Sequence, residues 1–441
     1  MLRNVIKNKD IRNSILFTLL MLLVVRIGSY IPVPGVNVMY IRQFFGRQRD
    51  GIWNFIDMFT GGSFSQMSLF ALGITPYITA SIVIQLLTIA IPALEELQKD
   101  GESGRKKIAS ITRYGTLLLA LMESFAMSYG FGKRGIFLRW EAGTVLIAAF
   151  TFTAGSMLLM WIGERITEHG VGNGISIVLL INILSRVPND LVSLFKQFIG
   201  GKNLAIGIFR GAVILLIILG IIVFVVLLQG GERRIQIQYS QKVMGRKRIG
   251  GQNNMLPVKI NTAGVIPVIF ASSIMQMPIL IAQMLGKGNG TGPGSFILKA
   301  MYSGNWCNPQ QPWYTAGMVF YIILTIFFAY FYTSITFNPL EISNNLRKSG
   351  GVIPGIRPGK MTAEYLKGIL NYTIFIGVCG LIIVQVVPFF FNGVFKAQVS
   401  FGGTSLIIIV GVTLETIKQI ESRCLNWKWK NRGYRGFGMN S

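Results

Sequence analysis

Residues 61–85 read GGSFSQMSLFALGITPYITASIVIQ, and the fold follows from how this stretch is understood. It is apolar enough for a membrane, yet Ser63, Ser65, Gln66 and Ser68 pepper its first half, and Gly73 and Pro76 interrupt it. In hydrocarbon those polar groups would lack partners, at a cost of several kcal/mol each. Broken, polar helices are tolerated at membrane depth where protein surrounds them or where they line a water-filled cavity. The stretch therefore reads as a short half-helix over 63–72, a hinge at Gly73 and a true span over 74–92, with Thr75, Thr79, Ser81 and Gln85 facing an interior path.

This stretch has a twin. GITPYITASIVIQ from Gly73 aligns without gaps with GVIPVIFASSIMQ from Gly264, keeping the Gly, Pro, Ile, Ala, Ser and final Gln in register. Chance similarity of two apolar helices rarely preserves both the Pro and the Gln, which are uncommon in spans. Matching interrupted helices in two halves of a chain point to a repeat-built membrane protein with its pathway at the repeat interface.

Composition agrees. Hydrophobic residues make up 51% and charged residues 13% of the 441, too few charges to solvate a soluble surface of this size. The net charge is +25, which in a soluble chain would suggest nucleic acid. Cys307, Cys379 and Cys424 are too scattered for a disulfide framework or metal site, and His169 is the single histidine. The chain has no Walker-type, GxSxG, HExxH or CxxC motif. GVGNGIS, at 170–176, is a helix-start turn capped near Asn173 rather than a phosphate cradle.

Read in order, the chain yields about ten spans of roughly 20 residues. The first, 14–31, follows a basic start but has no small-residue cleavage site, so it is an uncleaved span rather than a signal peptide. Arg26 inside it needs a partner. After 74–92 come 114–131, 143–163, a fifth ending before Pro188, 208–228, 261–285, 313–335, 368–388 and 404–420. With the N-terminus inside, Lys and Arg are roughly twice as numerous on the cytoplasmic side as on the outer side, so both termini are expected to be cytoplasmic. Two cytoplasmic loops, 230–259 and 337–367, are long and basic, and the second is stiffened by Pro339, Pro354 and Pro358, which suits docking of an RNA or an acidic protein surface.

The motifs GGSFSQMSLFALGITPYITASIVIQLL, DGESGRKKI, TRYGTL, GERITEHGVGNGISI, GERRIQIQY, AGVIPVIFASSI, FNPLEISNNLRKSGGVIPGIRPG and SFGGTSLII together resemble the SecY family, central subunits of the bacterial protein-translocation channel. The resemblance covers nearly the whole chain. It departs at Asn253–Asn254–Met255 and in the Trp- and Arg-rich tail from Asn426. It implies an all-α membrane protein with about ten transmembrane helices in two pseudo-symmetric inverted halves and a re-entrant plug half-helix. The halves would be 14–188 and 208–420, joined by an external hinge loop at 189–207, with cytoplasmic segments 1–13 and 421–441.

The implied function is a protein-conducting channel, not an enzyme, without cofactor, that passes unfolded secretory proteins across the cytoplasmic membrane and releases transmembrane segments sideways. The plug would be Ser63, Phe64, Ser65, Gln66, Met67, Ser68, Leu69, Phe70, Ala71 and Leu72. A ring of Ile78, Ile82, Leu179, Ile183, Ile408 and one or both of Ile269 and Ile274 would form the constriction, gating by dewetting. Ser81, Gln85, Ser272 and Gln276 would flank the lateral gate. Arg246, Lys247, Arg248, Arg347, Lys348 and Arg357 would dock the SecA ATPase or the ribosome. SecE and SecG subunits, signal peptides, nascent chains and the lipid bilayer are the other implied partners. An ion-coupled transporter also uses broken inverted repeats, but it would place acids or histidines at midplane, where these spans carry Ser, Thr, Gln and Asn182.

Overall fold

The computed structural model describes residues 8–47, 57, 59–133, 135–196, 204–239, 242–244, 247–249, 253–262, 264–284, 293–302, 305–307, 310–395 and 403–436. Helices stand where the spans were expected: α1 (Lys9–Gly28), α3 (Thr75–Ala90), α5 (Glu102–Gly132), α6 (Ala142–His169), α7 (Gly174–Leu194), α8 (Leu204–Gly230), α9 (Ile266–Met284), α11 (Thr315–Thr336), α13 (Lys360–Phe395) and α14 (Gly403–Gly436). Between them lie the shorter α2 (Val38–Arg47), α4 (Pro92–Lys99), α10 (Pro293–Met301) and α12 (Pro339–Ser349). Among the described residues, five helices are long and apolar enough to cross a membrane, or six if α3 and the residues after Pro92, bent by 106°, count as one broken span. α7 and α9 have shorter apolar cores, while Ser, Gly and charged extensions dilute α5 and α14.

The repeat is visible in the packing. α3 packs on α5, α5 on α6, and α1 on both α6 and α7; five spans later, α9 packs on α11, α11 on α13, and α8 on both α13 and α14. An odd number of spans per half makes the second copy run inverted relative to the first. Many hydroxyls at membrane depth are satisfied within their own helices. Thr18, Thr79, Thr116, Thr325 and Thr333 each donate to the carbonyl four residues back, and Ser124 pairs with Thr153 across α5 and α6 at 2.7 Å.

Several elements differ from expectation. Residues 61–74 are consecutive turns rather than a half-helix. Gly61, Gly62, Met67 and Gly73 all have positive φ, which a right-handed helix cannot accommodate. The Ser65 and Ser68 hydroxyls also donate to the carbonyls of Gly62 and Ser63, competing with helical bonds. The fifth span does not stop before Pro188: α7 carries that proline inside it, so the half boundary at 188 falls within a helix. A proline costs one backbone bond there, and membrane helices tolerate it. α14 likewise runs past 420 into the basic tail.

The long loops, finally, are structured. β1 (Glu232–Tyr239) lies between β4 (Asn253–Lys259) and β5 (Gly351–Val352), antiparallel to both, and β2 (Lys242–Met244) pairs with β3 (Lys247–Ile249). The β1–β5 pairing joins the two expected docking loops into one lobe. Ile235 of β1 and Ile353 share a buried cluster with Leu366 and Leu370 at the start of α13.

Candidate functional site

The two twin motifs set the site. Gly73 and Gly264 adopt left-handed φ of 61° and 65°, turning the chain just before α3 and α9. Each helix has its proline at the second position, where a missing N–H costs nothing. The first-turn bonds repeat: Tyr77 and Ile78 donate to Ile74, and Val268 and Ile269 donate to Val265, at 3.1–3.3 Å. Repeat mates Ile78 and Ile269 thus occupy the same place in mirrored elements, the fourth residue of each helix.

A continuous apolar cluster forms where the halves meet. Leu179, Ile183 and Ile408 are buried in it, with Ile78 and Ile269 packed against them. Leu179 and Ile183 are one turn apart on α7, so a single face of that helix supplies both. Ile82 lies elsewhere, in a second buried cluster with Phe270, Ala271 and Met275 between α3 and α9. Ile274 is 36% exposed and its mate Val83 44%, so neither is packed into this cluster. The structure therefore gathers Ile78, Leu179, Ile183, Ile269 and Ile408; Ile82 is buried in the adjoining cluster, which Ile78 also borders, and Ile274 is exposed.

The turn segment 61–74 seats into this cluster. Phe70 and Ile74 are buried in it beside Val25, while Phe64, Met67 and Ala71 fill a neighbouring cluster with Phe131, Ile136 and Phe152. Val33 N–H donates to the Met67 carbonyl and Leu69 N–H to the Ile31 carbonyl, stitching the segment to the end of the first span's loop. The Ser156 hydroxyl donates to the Gly73 carbonyl at 3.1 Å. Gly155 of α6 approaches so closely that a Cβ there would sit 1.9 Å from the Leu69 carbonyl oxygen. This segment is tightly held.

A polar bracket covers the start of the segment. Asp57, with a side chain 4% exposed, pairs with Arg186 of α7 and accepts from Ser65 N–H at 2.7 Å. Arg26 Nη1 and the Ser185 hydroxyl both donate to the Gly61 carbonyl at 3.3 Å, which gives the intramembrane arginine its partner. Neither Asp57 nor Arg186 stood out in the sequence: they are opposite charges in an apolar chain, but 129 residues of separation conceal the pairing.

The two seams between the halves differ. On one side α7 and α1 meet α14, where Gly172 N–H donates to Gln419 Oε1 and Arg423 Nη1 donates to the Gly170 carbonyl at 2.9 Å. Asn173 caps α7 as expected, accepting from Ile175 and Ser176. On the other side α3 and α5 meet α9 through a narrower, apolar contact. There Gln85 Nε2 donates to Ser81 Oγ at 3.3 Å and Ser272 Oγ to the Ile269 carbonyl at 2.8 Å, so these polar side chains bond within their own helices. Gln276 on α9 is half-buried.

Of the expected docking residues, Arg347 and Lys348 are exposed in the last turn of α12, and Arg357 is exposed at the tip of 351–359. That tip is pinned by the Ser343 hydroxyl on the Gly359 carbonyl (2.6 Å) and the Thr362 hydroxyl on the Arg357 carbonyl (2.9 Å). Lys247 and Arg248 lie on β3, and Arg246 lies outside the described residues.

Comparison with known proteins bears directly on this arrangement. The SecY family model matches residues 68–417. Protein translocase subunit SecY of Bacillus subtilis (strain 168) is 42% identical, over 99% of both chains. The SecY subunit of Thermotoga maritima is 41% identical, over 99% of this chain and 96% of the relative, and that of Pseudomonas aeruginosa 40%, over 96% and 94%. Among solved structures, one described as a protein conducting channel superposes with a TM-score of 0.62 at 16% identity, over 94% of this chain and 93% of the other. Sec61 in a canine ribosome-channel complex gives 0.61 at 16% identity, with the same coverage. By family match, near full-length identity and fold, the chain belongs to the SecY family.

Proposed function

We propose that the cluster of Ile78, Leu179, Ile183, Ile269 and Ile408 is the constriction of a protein-conducting channel, and that residues 61–74 are its plug. The SecY family is a family of translocation channels, not of enzymes. The observation that carries the site assignment is the junction of both twin motifs and α7 on one apolar collar, into which Phe70 inserts. Aliphatic side chains suit this task. They exclude water and ions when closed, and they offer no fixed hydrogen-bond pattern to a passing chain, so any sequence can slide through.

The narrow apolar seam between α3 and α9 supports a lateral exit there, with Ser81, Gln85, Ser272 and Gln276 beside it. Opening on that side while Gln419 and Arg423 hold the other would release apolar segments into lipid. The chain is a multi-pass membrane protein. We place it in the bacterial cytoplasmic membrane with both termini cytoplasmic, on the bias of Lys and Arg. The lobe bearing Arg347, Lys348 and Arg357 then faces the cytoplasm, where it would receive the ribosome or the SecA ATPase. SecE and SecG would complete the assembly, and signal peptides and nascent chains would enter the collar.

The test is crosslinking. A cysteine at Ile183 should bond to a cysteine in a stalled secretory chain, whereas one at Ile274 should not. Crosslinks at Ile274 without any at Ile183 would place the path elsewhere.

A further inference from the structure

We infer that Asp57 and Arg186 form an ionic latch that sets the threshold for plug displacement, and with it how weak a substrate signal the channel accepts. The inference rests on the plug reading above. Asp57 brackets the plug's first turn. One carboxylate oxygen takes the Arg186 guanidinium, the other accepts from Ser65 N–H at 2.7 Å, and its backbone carbonyl accepts from Gly62 N–H at 3.0 Å. Arg186 is on α7, the helix that carries Leu179 and Ile183, and lies one turn beyond Ile183. A shift of α7 that widens the collar therefore pulls directly on the latch. Asn182 and Ser185 of the same helix add bonds to the carbonyls of Phe59 and Gly61 at 3.4 and 3.3 Å.

The chemistry suits a latch better than a permanent weld. The side chains of Asp57 and Arg186 are 4% and 17% exposed. Burying such a pair costs hydration that is regained when the plug lifts into water, so the intact pair is only weakly favourable overall. Losing one partner strands the other charge. Apolar contacts such as those of Phe70 hold the plug over a broad area, whereas the Arg186–Asp57 pair holds it at one point through a directional, charge-assisted hydrogen bond. The seat thus combines a deep apolar fit with a discrete trigger at its rim.

The experiment uses the full chain with Cys307, Cys379 and Cys424 replaced by Ser, in vesicles of phosphatidylethanolamine and phosphatidylglycerol. Resting conductance is read in planar bilayers. Plug exposure is read by labelling Gln66→Cys with a membrane-impermeant maleimide. Asp57→Asn and Arg186→Gln should each raise both readouts about tenfold, and the double variant should fall well short of the product of the two, because the charges act as a pair. A 65–69 deletion serves as the reference for a lost plug. If that deletion leaks but the single variants match the unmodified chain, or if the two effects multiply independently, the latch is refuted and the plug stands. If the deletion itself stays sealed, the plug reading fails and the latch falls with it.

Discussion

Whether a side chain faces the collar, the lipid or the packed interior decides what its loss should do. Ile269 and Ile274 test this most directly, because their repeat mates Ile78 and Val83 part company in the same way. Ile269→Ser should open a resting ion leak in planar bilayers, and Ile274→Ser should leave conductance at the unmodified level; the reverse pattern would exchange their roles. Ile183 is packed more completely than a residue lining an open cavity, being 2% exposed among Val25, Phe70 and Ile408. Ile183→Ser should therefore leak and also cost about 2–4 kcal/mol, seen as a lowered Tm. Gly155 reports on the plug from behind. Any side chain there collides with the Leu69 carbonyl, so Gly155→Val should unseat the plug, raising leak and lowering Tm together. A Gly155→Val channel that stays sealed would mean that α6 does not support the plug.

At the scale of elements, the docking lobe shows what the chain's local signals do and do not reveal. α12 is written out plainly: Asn338 caps it by accepting from Leu340 and Glu341, Pro339 opens it, Arg347 and Lys348 close it, and Gly350 ends it with a left-handed turn. Arg357→Glu should weaken salt-sensitive binding of ribosomes or the motor ATPase without changing Tm, since the side chain is exposed and the tip is held by backbone bonds from Ser343 and Thr362. Unchanged binding would move the docking site off this tip. The spans and the twin were legible because long apolar runs and a shared Gly-x-x-Pro spacing survive without tertiary context. The strand β1 was missed although Ile235 and Ile237 alternate with polar neighbours, because its charges were read as part of a basic docking loop. The plug's turns were not legible either. They depend on a positive φ at Met67, which no local signal announces, and on serine bonds that become decisive only once the segment is buried. Pro188 failed to stop α7 because a membrane helix can carry a proline. The Asp57–Arg186 bracket is a tertiary contact within the first half and exists only once α7 packs against the turn segment.

Across the whole molecule, the unequal seams support the proposed one-sided opening. The same helix pairs pack within both halves, so that pairing does not by itself say which side opens. The difference lies between them. The α7–α14 side is broad and clasped by Gln419 and Arg423 on the 170–172 backbone, while the α3–α9 side rests on the apolar contacts of Ile82 with Phe270 and Met275. Apolar contacts can be exchanged for an entering apolar segment with little net cost, since the intruder buries comparable surface. An entering apolar segment offers no donor to replace Arg423 on the buried Gly170 carbonyl, so this contact cannot be exchanged in the same way. Truncating the two seams should therefore give different phenotypes. Ile82→Ala with Met275→Ala should lower the barrier to lateral opening, so that reporters with weakened signal sequences are exported more efficiently. Arg423→Ala should instead lower Tm by loosening the clasp, with no gain in export of those reporters. Export efficiency and Tm measured on both variants distinguish the seams. Relaxed signal selection in Arg423→Ala, with tight selection in the Ile82 and Met275 pair, would mean that the halves part on the clasped side.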